Sequence, residues 1–136
     1  MANALYDTGR NAFLTGDIDW VADDIRVILV DTGAYTVDLA AHDFLSDIPG
    51  GARIAVGSSS LANKTAVAGV ADADDFTFVG VSGATVEAIV IYRHTGVDGT
   101  SQLIAYIDTA TGLTLTPSGG DVILRWSNGV NRIFKL

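Results

Sequence analysis

Asp121-Val-Ile-Leu-Arg-Trp-Ser-Asn128-Gly129-Val-Asn-Arg-Ile-Phe-Lys-Leu136 closes the chain with two apolar runs flanking an Asn-Gly pair. That dipeptide tolerates the two positive φ values of a type I′ turn unusually well. The stretch therefore predicts a terminal hairpin over 121–136, and a chain that ends inside a β-sheet. A two-residue loop at Asn128-Gly129 would pair Trp126 with Asn131, Leu124 with Ile133 and Arg125 with Arg132. One face would then carry Leu124, Trp126 and Ile133 as core. The other would set two guanidinium groups opposite each other, a like-charge pair that is mildly destabilising. An acidic neighbour would reverse the sign, which makes Arg125 and Arg132 candidates for a partner interface. An aspartate of the chain itself, or a one-residue bulge, is the plainer remedy.

Working outward, short strands are predicted at 53–57, 64–70, 76–79, 86–93, 102–108, 113–116, 121–127 and 130–135, separated by Gly, Asp or Ser clusters. Strands at this spacing, without intervening helices, favour a sandwich or barrel over a parallel α/β sheet. Asp24-Ile-Arg-Val-Ile-Leu-Val30 reads as a further strand, and 39–49 holds at most a short helical turn stopped by Pro49. Residues 1–16 form the one helical segment, with Asn3 as cap, Leu5, Tyr6, Gly9, Phe13 and Leu14 near helical spacing, and Gly16 at the C-terminal stop. The expected fold is mainly β: a single-domain antiparallel β-sandwich over 1–136, jelly-roll-like, with a short N-terminal helix. Leu29, Ile89, Ile91, Leu103, Ile107, Leu124, Trp126 and Ile133 are the expected core. Residues 86–93 and 102–108 are apolar on both faces, so their outer face needs a helix, a long loop or another subunit over it.

Composition bounds the rest. A chain of 136 residues fits one domain, and the lack of cysteine excludes disulfides and thiolate metal sites. The net charge of −8 argues against phosphate-neutralising contacts with nucleic acid. Glu87 is the only glutamate; the other acids are aspartates, which suit turns and caps. No apolar run is long enough to span a bilayer, and the N-terminus lacks the features of a signal peptide, so synthesis in a cytoplasm is expected.

No catalytic set, cofactor loop or metal motif stands out. His42 and His94 are isolated from each other in sequence, without the clustered carboxylates a metal site wants. Ser58-Ser59-Ser60 is not framed as a nucleophile elbow. Asp72-Ala-Asp74-Asp75 offers oxygen ligands to a cation, but the spacing does not continue into a calcium loop, and a solvated turn is the simpler reading. The glycine pairs 50–51 and 119–120 are not followed by the Lys-Ser or Lys-Thr of a phosphate loop. Trp20 and Trp126 read as core.

The chain resembles, over nearly its full length, a family of small tailed-bacteriophage proteins associated with the virion. The resemblance runs through Met1-Ala-Asn-Ala-Leu-Tyr-Asp7, Gly9-Arg-Asn-Ala-Phe-Leu14, Ile18-Asp-Trp20, Ile25-Arg-Val-Ile-Leu-Val-Asp31 and Phe44-Leu-Ser-Asp-Ile-Pro49. It continues in Ala68-Gly-Val-Ala-Asp-Ala-Asp-Asp75, Leu103-Ile-Ala-Tyr-Ile-Asp-Thr-Ala-Thr-Gly112 and Asn131-Arg-Ile-Phe-Lys-Leu136. It implies a non-enzymatic structural protein of the virion, made in the host cytoplasm. By analogy of size and fold, such domains serve as capsid decoration or cement proteins. The implied partners are major capsid protein subunits and further copies of the chain, as a dimer or trimer, with no nucleic acid, membrane or cofactor. The competing reading is a tail or baseplate component recognising a host glycan, for which Tyr35, Tyr92 and Tyr106 are the available stacking residues.

Overall fold

A computed structural model describes residues 3–136 of the chain; Met1 and Ala2, which the sequence places in the N-terminal helical segment, lie outside the described residues. The structure is mainly antiparallel strand with one short helix, as the sequence predicts. Its centre is a five-stranded antiparallel sheet of β1 (Ala4–Leu5), β8 (Leu103–Ile107), β7 (Ala88–Arg93), β2 (Ile25–Val30) and β3 (Arg53–Val56), in that spatial order. A three-stranded sheet joins β10 (Phe134–Lys135), β5 (Val70–Asp72) and β4 (Thr65–Val67), and a two-stranded one pairs β6 (Phe76–Phe78) with β9 (Val122–Leu124). The result is sandwich-like; the five, three and two strands do not divide into the paired sheets of a jelly roll. The run 113–116 contributes only an isolated bridge, Leu115 to Val86.

The central sheet is apolar on both faces because its strands alternate two apolar sets. Ile25, Val27 and Leu29 of β2 lie with Ile89 and Ile91 of β7 in one cluster, while Ile28, Val30, Val90 and Tyr92 belong to the other. Each fully buried aliphatic side chain here contributes about 1.5–3 kcal/mol. Between Ile91 and Tyr92 the register to β8 slips by one residue, a bulge that sends both Ile104 and Ala105 to the first face.

Both faces are covered from within the chain. The helix α1 (Asp7–Thr15), the loop after it, the two small sheets and the segment after β9 bring Ala12, Trp20, Phe78 and Trp126 onto the first face. Tyr35, Leu45, Ile48 and Ala52, from the segment between β2 and β3, close the second with Tyr6. Arg53 fastens this segment down, donating from Nη2 to the carbonyls of Leu45 and Ile48 at 2.7 Å each and from Nε to Ile48 at 3.0 Å. The two-sided apolar strands thus need no second subunit to bury them, contrary to the sequence expectation.

The helix is shorter than the predicted segment 1–16: Ala4–Leu5 form strand β1 against β8, and α1 begins only at Asp7. The helix is capped at Tyr6, not Asn3; Asn3 instead donates to the Thr109 carbonyl and accepts from the amides of Asp108 and Thr109. Gly9 sits where the helix meets β8 so closely that a Cβ would stand 2.6 Å from the Leu103 carbonyl oxygen. Gly16 does end the helix, in the left-handed conformation at φ 79°.

The predicted terminal hairpin does not form. β9 pairs with β6 and β10 with β5, so the arms on either side of Asn128-Gly129 go to different partners. Each arm is held by its own anchor. The Trp126 amide donates to Oδ1 of Asp75 at 3.0 Å and its indole N–H to the Asp74 carbonyl at 3.1 Å. Phe134 packs edge-on against Trp20, ring centres 5.2 Å apart, and against Phe13 at 5.9 Å. Burying these aromatic side chains in separate places outweighs a local turn preference. The positive-φ pair is at Ala68 (52°) and Gly69 (77°), which join β4 to β5 within the predicted strand 64–70.

Candidate partner-binding groove

The segment that fails to make the hairpin forms a wall instead. A groove of about 760 Å³ runs between residues 121–127 and the loop 109–115, with Leu29, Val86, Ile89 and Ile107 of the central sheet region as its floor. All seven consecutive residues from Asp121 to Ser127 line it, so the groove follows the edge of β9 and not one face of it. Leu113, Leu115, Val122, Leu124 and Ile133 make the walls apolar. Of the expected core, Leu29, Ile89, Ile91, Leu103 and Trp126 are buried, whereas Ile107, Leu124 and Ile133 are only half-buried. Those three line the groove together with the buried Leu29, Ile89 and Trp126.

Arg125 and Arg132 both line it, although not as a cross-strand pair. The cross-strand repulsion expected of a hairpin is absent: Arg125 follows β9, and Arg132 sits in the turn after Gly129 at φ 45°. Arg132 donates to Oδ1 of Asn128 at 3.1 Å and lies 3.9 Å from a carboxylate oxygen of Asp72, half-exposed on both sides, a weak contact. Arg125 is exposed and has no hydrogen-bond or ion-pair partner among the described residues. The third charged residue, Asp121, is engaged, accepting from the Gly80 amide at 3.0 Å. The sequence marks the two arginines but not the groove, because its floor residues Leu29, Val86 and Ile89 are far from them along the chain and 109–115 carries no local sign of facing 121–127.

The other sequence candidates have structural work. Asp74 accepts from the Asn63 amide group at 2.6 Å and Asp75 from Trp126, while the Asp72 carbonyl takes the Trp20 indole N–H at 3.1 Å. The run 72–75 is thus the ledge from which both tryptophans hang, and no cluster of three or more metal-ligating side chains occurs among the described residues. His42 Nδ1 accepts from the Asp38 amide at 3.2 Å and lies 2.9 Å from the Tyr35 hydroxyl, which in turn meets the Tyr6 hydroxyl at 2.9 Å. Burial and the bond to Tyr35 raise the Tyr6 hydroxyl well above its usual range, and burial pushes Tyr35 up to about 12. These contacts make the chain Tyr6–Tyr35–His42 a brace for the second face. His94, at the end of β7, packs beside Tyr92 with ring centres 6.2 Å apart. Tyr35, Tyr92 and Tyr106 are all buried at 3%, 1% and 3% exposure, so none presents a ring to a glycan. No helix among the described residues is long and apolar enough to cross a membrane.

No protein-family model matches the chain, and no curated protein shows significant similarity to it.

Proposed function

We propose that the chain is a non-enzymatic structural protein of a bacteriophage virion, a decoration or cement protein that binds the major capsid lattice. The observation that carries the reading is the arginine-rimmed apolar groove along the edge of β9. Concave apolar surface ending in a cation without an acceptor suits another polypeptide better than open water. The resemblance to virion-associated phage proteins supplies the setting. The acidic composition adds to it, since a net charge of −8 limits adhesion to packaged DNA. Oligomer formation now rests on this groove alone, the faces of the central sheet being covered within the chain. The glycan-recognition alternative loses its stacking residues to the core.

Deleting the gene from its phage tests the role. Particles should still assemble with normal heads but release DNA at lower temperature than the parent, and added protein should restore them. Particles of unchanged heat stability, or heads that fail to form, would count against a cement function.

A further inference from the structure

We propose that the groove receives an extended acidic peptide segment of a partner protein, which adds a strand to the free edge of β9 and sets its carboxylates against Arg125 and Arg132. The inference concerns the mode of binding and does not depend on which particle the protein belongs to.

The backbone argues for a strand. Val122, Ile123 and Leu124 pair with β6 on one side, their backbone groups pointing alternately toward and away from it, and none of the three makes a backbone hydrogen bond to any other segment among the described residues. An unpaired strand edge is a template for another chain, and proteins ordinarily blunt such an edge with charge, proline or a covering loop. Here it is left beside a groove lined by apolar walls. An occupant that supplies only hydrocarbon would fill the groove and leave the edge donors and acceptors unpaired. An extended peptide satisfies them and places alternate side chains in the groove.

Charge selects the peptide's chemistry. Arg125 lacks an acceptor among the described residues, and Arg132 has only the neutral Asn128 amide oxygen at 3.1 Å and a 3.9 Å contact to the Asp72 carboxylate, while Asp121 is already bonded to Gly80. Guanidinium groups bind carboxylates with two parallel hydrogen bonds, so acidic side chains at the groove mouth gain what lysines would forfeit. The half-exposed Ile123, at 48%, offers apolar contact beside them.

The test titrates the full chain with four probes, following the backbone amide resonances of residues 121–127 and the emission of Trp126. The probes are an octapeptide alternating valine with aspartate, its lysine counterpart, the aspartate peptide N-methylated at alternate amides, and decanoate. The aspartate peptide should shift the 121–127 amides and bind at least about ten-fold more tightly than the lysine and N-methylated forms. Arg125→Ser with Arg132→Ser, its fold checked by the same spectrum, should erase the preference for aspartate over lysine. The proposal is overturned if the aspartate peptide leaves those amides unmoved at roughly 1 mM. It is equally overturned if N-methylation has no effect, or if decanoate occupies the groove and the peptides do not. Failure here would leave the capsid role open to other surfaces, and the heat-release assay reports on that role separately.

Discussion

Trp126 is tied to Asp75, fifty-one positions away, by its own backbone amide, which donates to the aspartate Oδ1 at 3.0 Å. This bond, with the indole contact to Asp74, decides where the final segment of the chain leaves the sheet and therefore where the groove wall stands. Asp75→Ala should cost about 1 kcal/mol, the ordinary worth of an intramolecular hydrogen bond with an exposed acceptor. Urea unfolding measures it. The Trp126 emission should also shift to longer wavelength as the indole gains water. An unchanged midpoint and spectrum would mean that burial alone places Trp126.

Gly9→Ala tests the contact between the helix and β8. Alanine is favoured over glycine by about 1 kcal/mol in an exposed helix interior. Here its Cβ would lie 2.6 Å from the Leu103 carbonyl oxygen and 3.0 Å from Ile104 Cα, both backbone atoms that cannot step aside. A net loss of about 1–3 kcal/mol is expected, as for overpacking elsewhere. A gain in stability would show that the helix stands farther from the sheet.

Arg53→Lys should loosen the cover over the second face. The guanidinium reaches two carbonyls at once and Asp98 at 2.8 Å, a fork that one ammonium cannot reproduce. A loss of about 1–3 kcal/mol is expected from the unpaired carbonyls. Faster amide exchange across residues 45–52 should accompany it. Equal exchange in both proteins would contradict the fastening role.

The tyrosine brace sets the alkaline limit. A hydroxyl whose value is raised on folding keeps its proton longer in the native state, so the native state binds more protons once pH exceeds the unfolded value of 10.0. The stability it contributes is complete below that pH and declines between about 10 and 12, through the Tyr35 value. Tyr6→Phe should make this decline shallower. Identical stability profiles for parent and variant from pH 9 to 12 would refute the coupling. On the acid side, Asp47 is held below its ordinary range by the amides of Phe44 and Asp43, so its contribution is present above about pH 4 and fades as pH falls.

Short apolar runs set off by Gly, Asp and Ser clusters made the fold class legible, and β2, β7 and β8 are apolar enough to be recognised without any partner. Gly16 marked the helix end for an equally local reason. Asn128-Gly129 misled because turn preference is worth less than the separate burial of Trp126 and Phe134, a competition settled by residues near positions 20 and 75. Ala68 shows the converse: an alanine at φ 52° carries no local signal, and its turn follows from the pairing of Val67 with Val70. The groove sets C-terminal walls, 109–115 and 121–133, over a floor that includes Leu29 and Ile89, so only its arginines could be picked out beforehand.

The central claim, a capsid-binding protein that engages through the groove, is tested most directly by sedimenting it with DNA-free capsids of its phage. The parent protein should co-sediment to a fixed saturating ratio at low salt, and added salt should weaken the binding as the arginine contacts are screened. Arg125→Ser with Arg132→Ser, folded normally, should bind at least about ten-fold more weakly and with a smaller salt dependence. A double variant that saturates capsids like the parent, or a parent protein that stays in the supernatant, would contradict the account.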